Sequence, residues 1–205
     1  MITSRDNERL KLLRKLHERS WREKLGLFAV EGEDLVEAGL SAGLEPADVL
    51  VADEDVDAAL LAEVSTLAHP PRVVAVFKQD DLPRGSRPVS LALWHVADPG
   101  NIGTLLRAAD AFGAGVALSE GCADPTGPKA VRASMGAIFR VPLSGFEEPA
   151  AKRVALVAHG GEWLPELAAD GDVVLVFGAE RDGLPPEVLG RCDERASIPQ
   201  PGGGD

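Results

Sequence analysis

Three glycine-containing polar segments in the second half of the chain hold the residues that could do chemistry. They are residues 101–107 (NIGTLLR), 177–184 (FGAERDGL) and 197–205 (SIPQPGGGD), and each reads as a strand end followed by a glycine-rich turn. Ligands of open α/β sheets bind in the loops at the carboxyl ends of the strands. The pattern therefore predicts one ligand site built from three loops.

Three polar side chains in these segments are the first candidates. Asn101 is predicted to be the N-cap of a helix that runs to Phe112. Arg107 lies within two helical turns of Asn101, so its side chain can point toward the same predicted ligand site. Glu180 comes just after a strand, an unusual position for a carboxylate unless it holds a backbone group or a polar ligand. A capped helix with Arg107 in a surface ion pair is the ordinary alternative.

A pair of cations lies between these segments. Lys129 and Arg132 are three residues apart on a predicted short helix, so they share one face. Such a pair suits a phosphate group, although pairing with local acids is equally open.

Several other functional classes are excluded by what the sequence lacks. Gly178 and Gly183 are spaced like the glycines of a phosphate loop, but no Lys-Ser/Thr step follows, and no GxGxxG follows a strand. His159-Gly160-Gly161 is similar to the oxyanion-hole loop of esterases, but the sequence lacks the GxSxG motif that carries the nucleophile of those enzymes. The four histidines are scattered without ligand spacing, so no metal site is predicted.

Composition and cysteine usage indicate a soluble, cytoplasmic protein, and the alternation of predicted strands and helices indicates an α/β fold. The chain has 205 residues, of which 45% are hydrophobic and 26% charged, and it has neither a signal peptide nor an apolar run long enough to span a bilayer. We therefore expect no membrane partner. Cys122 and Cys192 are far apart without a CxxC partner and are read as reduced thiols.

The charge is unevenly distributed. The net charge of −12 argues against nonspecific nucleic-acid binding by the whole surface, yet residues 5–24 hold eight basic and four acidic side chains. A basic helical arm can contact phosphates, and Arg14, Lys15 and Arg22 are its candidate nucleic-acid contacts. A solvated amphipathic helix with ordinary ion pairs is the alternative.

The elements that must position these residues form two predicted domains. Residues 1–80 are predicted as one helix over 4–24 followed by a small unit of alternating strands and helices, and residues 81–88 read as a linker. Residues 89–205 alternate again, and their apolar Val/Leu/Ala strands favour a parallel sheet covered on both faces. This sheet includes predicted strands at 139–141 and 173–177, with a short helix near Trp163.

Together, the three segments and the stretch 129–140 resemble the SpoU/TrmH-type RNA 2′-O-methyltransferases of the SPOUT superfamily. Residues 101–107, 177–184 and 197–202 are similar to the first motif, the second motif and the start of the third motif of that family. The stretch 28–32 (FAVEG) resembles, more loosely, the small substrate-binding domain that many members carry.

The resemblance implies a parallel sheet with a C-terminal trefoil knot, bound S-adenosylmethionine and a homodimer with active sites at its interface. Arg107 would help to deprotonate the ribose 2′-hydroxyl or bind phosphate, and Asn101 and Glu180 would shape the site. The backbone around Gly178, Ile198 and Gln200 would hold the cofactor.

The expected function is methyl transfer from S-adenosylmethionine to a ribose 2′-hydroxyl of ribosomal or transfer RNA, with ribosomal RNA favoured. In the family, the third motif continues into a Ser-x-Asn step and a knot-completing helix, whereas this chain ends at Asp205; we therefore expect a truncated form of a longer protein. A non-catalytic RNA-binding protein with the same fold is the alternative, followed by an α/β enzyme with another nucleotide ligand.

Overall fold

The computed structural model describes residues 1–164 and 171–198. In chain order the elements are α1 (Glu8–Leu16), α2 (Arg19–Leu25), β1 (Leu27–Glu31), α3 (Glu33–Ser41), β2 (Asp48–Val51), α4 (Ala58–Val64), β3 (Val73–Lys78), β4 (Val89–Leu93), α5 (Pro99–Ala111), β5 (Gly115–Leu118), α6 (Pro128–Ser134), β6 (Leu143–Gly145), β7 (Lys152–Leu156), β8 (Glu162–Trp163), β9 (Val173–Phe177), α7 (Pro186–Leu189) and β10 (Glu194–Ser197). Short 3₁₀ helices cover Gln79–Asp81 and Ala137–Phe139. Within the described residues, none of the helices is both long and apolar enough for a bilayer.

The chain folds into two compact units that are not two consecutive stretches of sequence. The first unit consists of Met1–Pro83, Pro99–Thr104 and Asp124–Arg140, and the second contains the remaining described residues. The start of α5 and all of α6 therefore pack with the N-terminal part of the chain. The boundary at residues 81–88 stays a prediction.

The first unit is built on an antiparallel sheet of order β1-β3-β2. Leu10, Leu13 and Leu16 form the buried stripe of α1, at most 2% exposed, and they pack into the core of this sheet. Asn7 caps α1 by accepting a hydrogen bond from the Arg9 N–H group.

The prediction of a single helix over residues 4–24 is wrong, because α1 ends at Leu16 and Glu18 is extended. The physical reason is Arg22, whose Nη1 group donates 2.8 Å hydrogen bonds to the carbonyl oxygens of Leu16 and His17. These carbonyls are thereby satisfied at the end of α1 without a further helical turn.

The predicted strand at 139–141 is also wrong. Met135 and Gly136 both adopt positive φ angles, which turn the chain into the 3₁₀ helix Ala137–Phe139. This turn buries the ring of Phe139, whose centroid lies 5.4 Å from that of Phe77 and 6.2 Å from that of Phe28. An aromatic cluster of the first unit, and not a sheet, therefore fixes this segment.

The second unit contains the predicted parallel sheet, which is confirmed. Its order is β6-β5-β4-β9-β7-β10-β8, and every pair of neighbours is parallel. Glu162 and Trp163 form β8 beside β10, and Leu164 after them has 3₁₀ conformation. The short helix predicted near Trp163 stays a prediction, because the residues that follow Leu164 lie outside the described part of the chain.

Helix α5 begins at Pro99, so the prediction of Asn101 as its N-cap is wrong. Proline suits the first position of a helix because it lacks the N–H group that would remain unpaired there. Ile102, Leu106 and Ala109 form the buried face of α5, each at most 1% exposed. Their spacing leaves Arg107 on an exposed face.

Candidate active site

The carboxyl ends of β4 and β9 meet in the middle of the parallel sheet. From β4 the chain runs outward through β5 and β6, and then returns to place β9 and β7 on the other side of β4. The Trp94 N–H group donates a 2.8 Å hydrogen bond to the Phe177 carbonyl, which joins the two strand ends. Such a reversal of strand order is where open α/β sheets bind ligands.

The loop after β9 folds back on itself. Ala179 and Gly183 exchange two backbone hydrogen bonds of 3.1 and 3.0 Å, which leaves Glu180 exposed at the tip. A Cβ atom on Gly178 would lie 2.2 Å from the Gly183 carbonyl carbon, so only glycine fits there. The loop is thus a closed turn that presents backbone and a carboxylate at the sheet edge.

The structure places the predicted catalytic side chains on two elements. Asn101 and Arg107 are exposed on α5, and Glu180 is exposed on the loop after β9. Gly103 lets α5 approach α6 of the same unit, since a Cβ atom there would lie 2.3 Å from the Ala133 side chain. The start of α5, with Asn101, therefore lies against the helix that carries Lys129 and Arg132.

The third predicted segment is described only as far as Ile198. Ile198 is 62% exposed, an apolar side chain directly beyond the strand. Gly161 packs against β10, because a Cβ atom on Gly161 would lie 2.6 Å from the Ala196 carbonyl carbon. Gln200, the other predicted cofactor residue here, lies outside the described residues.

One feature of this edge was missed by sequence reasoning. His95 follows β4 with a φ angle of 52°, and its ring stacks on Trp94 with centroids 4.6 Å apart. The backbone N–H group of His95 donates a 3.0 Å hydrogen bond to the Ser119 hydroxyl. A non-glycine residue in the left-handed region is uncommon, and nothing in the local sequence signals it.

The thiols of the chain are not candidate nucleophiles. Cys122 is buried and donates to the Leu93 carbonyl, and burial raises the pKa of the Cys192 thiol above its ordinary value. A raised pKa keeps the thiol protonated and unreactive at neutral pH. Among the described residues, no group of histidine, cysteine and acidic side chains is arranged to hold a metal ion.

The predicted RNA-contact residues fall into two classes. Arg14 and Lys15 on α1, and Lys129 and Arg132 on α6, have at least partly accessible side chains. Arg132 is steadied by a 2.6 Å hydrogen bond to the Thr66 hydroxyl.

The prediction of Arg22 as an RNA contact needs a correction, because this side chain is buried. It is 4% exposed, and its guanidinium donates to Asp124 Oδ2 at 2.8 and 2.7 Å as well as to the end of α1. A buried guanidinium with these partners cannot contact RNA without unfolding its surroundings. The sequence alone does not separate Arg22 from its exposed basic neighbours.

Two family models match the chain. The model of the SpoU rRNA methylase family matches residues 88–205, and that of the MRM3-like substrate binding domain matches residues 7–79.

Relatives that match nearly all of this chain belong to the same class of protein as these family models. An uncharacterized tRNA/rRNA methyltransferase of Synechocystis is 31% identical over 97% of this chain and 85% of its own. The 23S rRNA (guanosine(2553)-2′-O)-methyltransferase RlmP of Bacillus subtilis is 28% identical, with 97% and 90% covered. The crystal structure of an AdoMet-bound rRNA methyltransferase from Sinorhizobium meliloti superposes with a TM-score of 0.87 at 28% identity, covering 100% of this chain and 90% of that chain.

Proposed function

The chain belongs to the SpoU rRNA methylase family, and from this premise we propose that it transfers a methyl group from S-adenosylmethionine to a ribose 2′-hydroxyl of ribosomal RNA. The observation that carries the proposal is the edge where β4 and β9 meet, with the closed Gly178–Gly183 turn beside it. Residues 89–205 would form the catalytic domain and residues 1–80 an RNA-binding domain.

The residues after β9 and β10 fit the cofactor. Gly178 keeps a turn of bare backbone at the sheet edge, which can hydrogen-bond a polar ligand. Ile198 offers an exposed apolar surface, as a purine ring requires. S-adenosylmethionine, when bound, supplies a methyl group activated by its sulfonium.

The task of the protein is then to position the hydroxyl and remove its proton. Arg107 is the candidate for this step or for holding an adjacent phosphate, while Asn101 and Glu180 would orient the ribose. An arginine base needs a strongly lowered pKa, whereas a bidentate phosphate contact uses the guanidinium in its ordinary charged form. Holding the hydroxyl in line with the sulfonium contributes through proximity and orientation.

Assembly and location complete the proposal. We infer a homodimer with active sites at the subunit interface; Phe112, 85% exposed at the end of α5, is an apolar side chain that a partner could cover. The protein would act in the cytoplasm, where free thiols such as Cys122 and Cys192 persist.

Methyl transfer is tested with the whole chain, labelled S-adenosylmethionine and unmodified transcripts of large-subunit rRNA, small-subunit rRNA and tRNA. We expect label in ribosomal RNA at one nucleotide whose 3′ phosphodiester resists alkaline cleavage, because a 2′-O-methyl group removes the attacking hydroxyl. Cofactor binding without a methylated ribose would favour the non-catalytic RNA-binding alternative, and alkali-sensitive label would indicate base methylation.

The cofactor assignment gives a second test, Gly178→Ala. The added methyl group would overlap the Gly183 carbonyl, so the turn must open. We expect the free energy of unfolding to fall by about 1–3 kcal/mol and calorimetric binding of S-adenosylmethionine to be lost. Gly190→Ala is the matched control, since the nearest atom to its Cβ would be a carbonyl oxygen at 3.3 Å. Unchanged cofactor affinity in Gly178→Ala would remove this turn from the cofactor site.

A further inference from the structure

The basic residues of α1, α2 and their flanks fall into two groups, those that form an ion pair with a carboxylate and those that do not, which we call uncommitted. Five of them pair with carboxylates: Arg5 with Glu63, Arg9 with Asp48, Lys11 with Glu8, Arg19 with Glu23, and Arg22 with Asp124. Three remain, namely Arg14, which donates to the Arg5 carbonyl, Lys15 and Lys24. Among the described residues, Lys15 and Lys24 form no ion pair with a carboxylate.

The two uncommitted lysines converge on one aromatic ring. Lys15 Nζ lies 4.9 Å and Lys24 Nζ 4.8 Å from the ring centroid of Trp21. Trp21 is itself partly exposed on α2, and both ammonium groups are on exposed residues. In a chain of net charge −12, two ammonium groups that form no ion pair with a carboxylate among the described residues thus lie close to a single tryptophan.

An aromatic ring with two ammonium groups 4.9 and 4.8 Å from its centroid has the chemistry of a single-stranded nucleic-acid contact. Bases stack on such rings without sequence preference, and the neighbouring phosphates are drawn to the cations. Exposed lysines over a ring gain little from that contact, so they can turn toward phosphate at small cost.

We propose that Trp21, Lys15 and Lys24 form a binding site for single-stranded RNA, in which a base stacks on the indole and the flanking phosphates pair with the two ammonium groups. This inference rests on the proposed RNA substrate. It replaces the buried Arg22 by Trp21 and Lys24 as the RNA contacts of the helical arm.

The test is a titration of the whole chain with a single-stranded oligoribonucleotide of about 12 nucleotides, followed by tryptophan fluorescence and anisotropy. We expect quenching of Trp21, and affinity about tenfold weaker in Trp21→Ala. Trp94 is partly exposed like Trp21, and Trp163 is 49% exposed, so Trp94→Phe and Trp163→Phe are the controls; both should retain the Trp21 quenching. Quenching that survives in Trp21→Phe, or equal affinity for the same sequence as a duplex, would overturn base stacking.

The lysines are tested through salt dependence. Lys15→Ala and Lys24→Ala should each lower the slope of log affinity against log salt by about 0.7, the value for one phosphate contact on a single strand. Lys11→Ala, on the same helix and already paired with Glu8, is the matched control and should change the slope less. Equal effects of all three substitutions would mean that RNA responds only to the overall positive charge of the helical arm, and would overturn the proposed site.

Failure of the site is separable from failure of the proposed function. Methyl transfer with RNA affinity unchanged in Trp21→Ala, Lys15→Ala and Lys24→Ala would overturn the site alone. Quenching of Trp21 without methyl transfer would support the site and overturn the proposed activity. No RNA binding by the unaltered chain would overturn both.

Discussion

Replacing Arg107 with alanine should lower the rate of methyl transfer by about 10²- to 10⁴-fold while the protein remains folded. Proton removal by a positioned side chain typically contributes that much to catalysis. Arg107 is exposed on α5, and the core-facing side of this helix is made by Ile102 and Leu106 instead. The substitution should therefore leave the thermal midpoint and S-adenosylmethionine affinity unchanged.

Steady-state kinetics separate the two roles that are open for Arg107. Loss of proton removal or of transition-state positioning lowers kcat with little change in the KM for RNA. Loss of a phosphate contact raises KM and leaves kcat nearly intact. Arg191→Ala is the control, because Arg191 is an exposed arginine of the same unit that pairs with Glu147, away from the proposed machinery. Activity retained in Arg107→Ala would exclude Arg107 from the mechanism.

The parallel sheet could be predicted because its strands carry their own signal. Strands β4 and β9 are nearly uninterrupted runs of apolar residues, as expected for strands buried on both faces. The errors lie where distant contacts decide local structure. The 3₁₀ helix Ala137–Phe139 depends on Phe28 and Phe77, about 60 or more residues earlier in the chain. Periodicity within a window cannot detect such a contact.

The prediction of the candidate site rests on a different kind of signal in the sequence. Glycine spacing and polar residues after strands mark loops, and strand order then brings those loops to one edge. The sequence cannot show whether each cation is buried or accessible, because Arg22, Lys15 and Lys24 look alike in a basic segment. Only the fold shows that Arg22 is buried with Asp124 while both lysines face Trp21. The expected knot rests on the resemblance, since periodicity has no bearing on it.

The pair of Arg22 and Asp124 is the centre of a buried polar chain in the first unit. The side chains are 5% and 14% exposed. Asp124 Oδ1 accepts hydrogen bonds from the Thr126 N–H and hydroxyl groups, and Gln79 donates to the same hydroxyl at 3.0 Å. The chain of bonds links the end of α1 to the segment that leads into α6. It thereby holds the helix of Lys129 and Arg132 in place.

Arg22→Met should consequently lower the free energy of unfolding by about 3–5 kcal/mol, because it leaves the buried Asp124 carboxylate without its cation. Asp124→Asn should be similarly costly, and the double substitution should cost less than the sum of the two, since the residues act as one unit. Urea unfolding of the four proteins measures this coupling. Lys11→Met, which breaks an exposed pair on the same arm, should leave the transition midpoint unchanged within error. Additive effects would mean that the pair is not coupled, and the link from α1 to α6 would then have to rest on the apolar contacts of this unit.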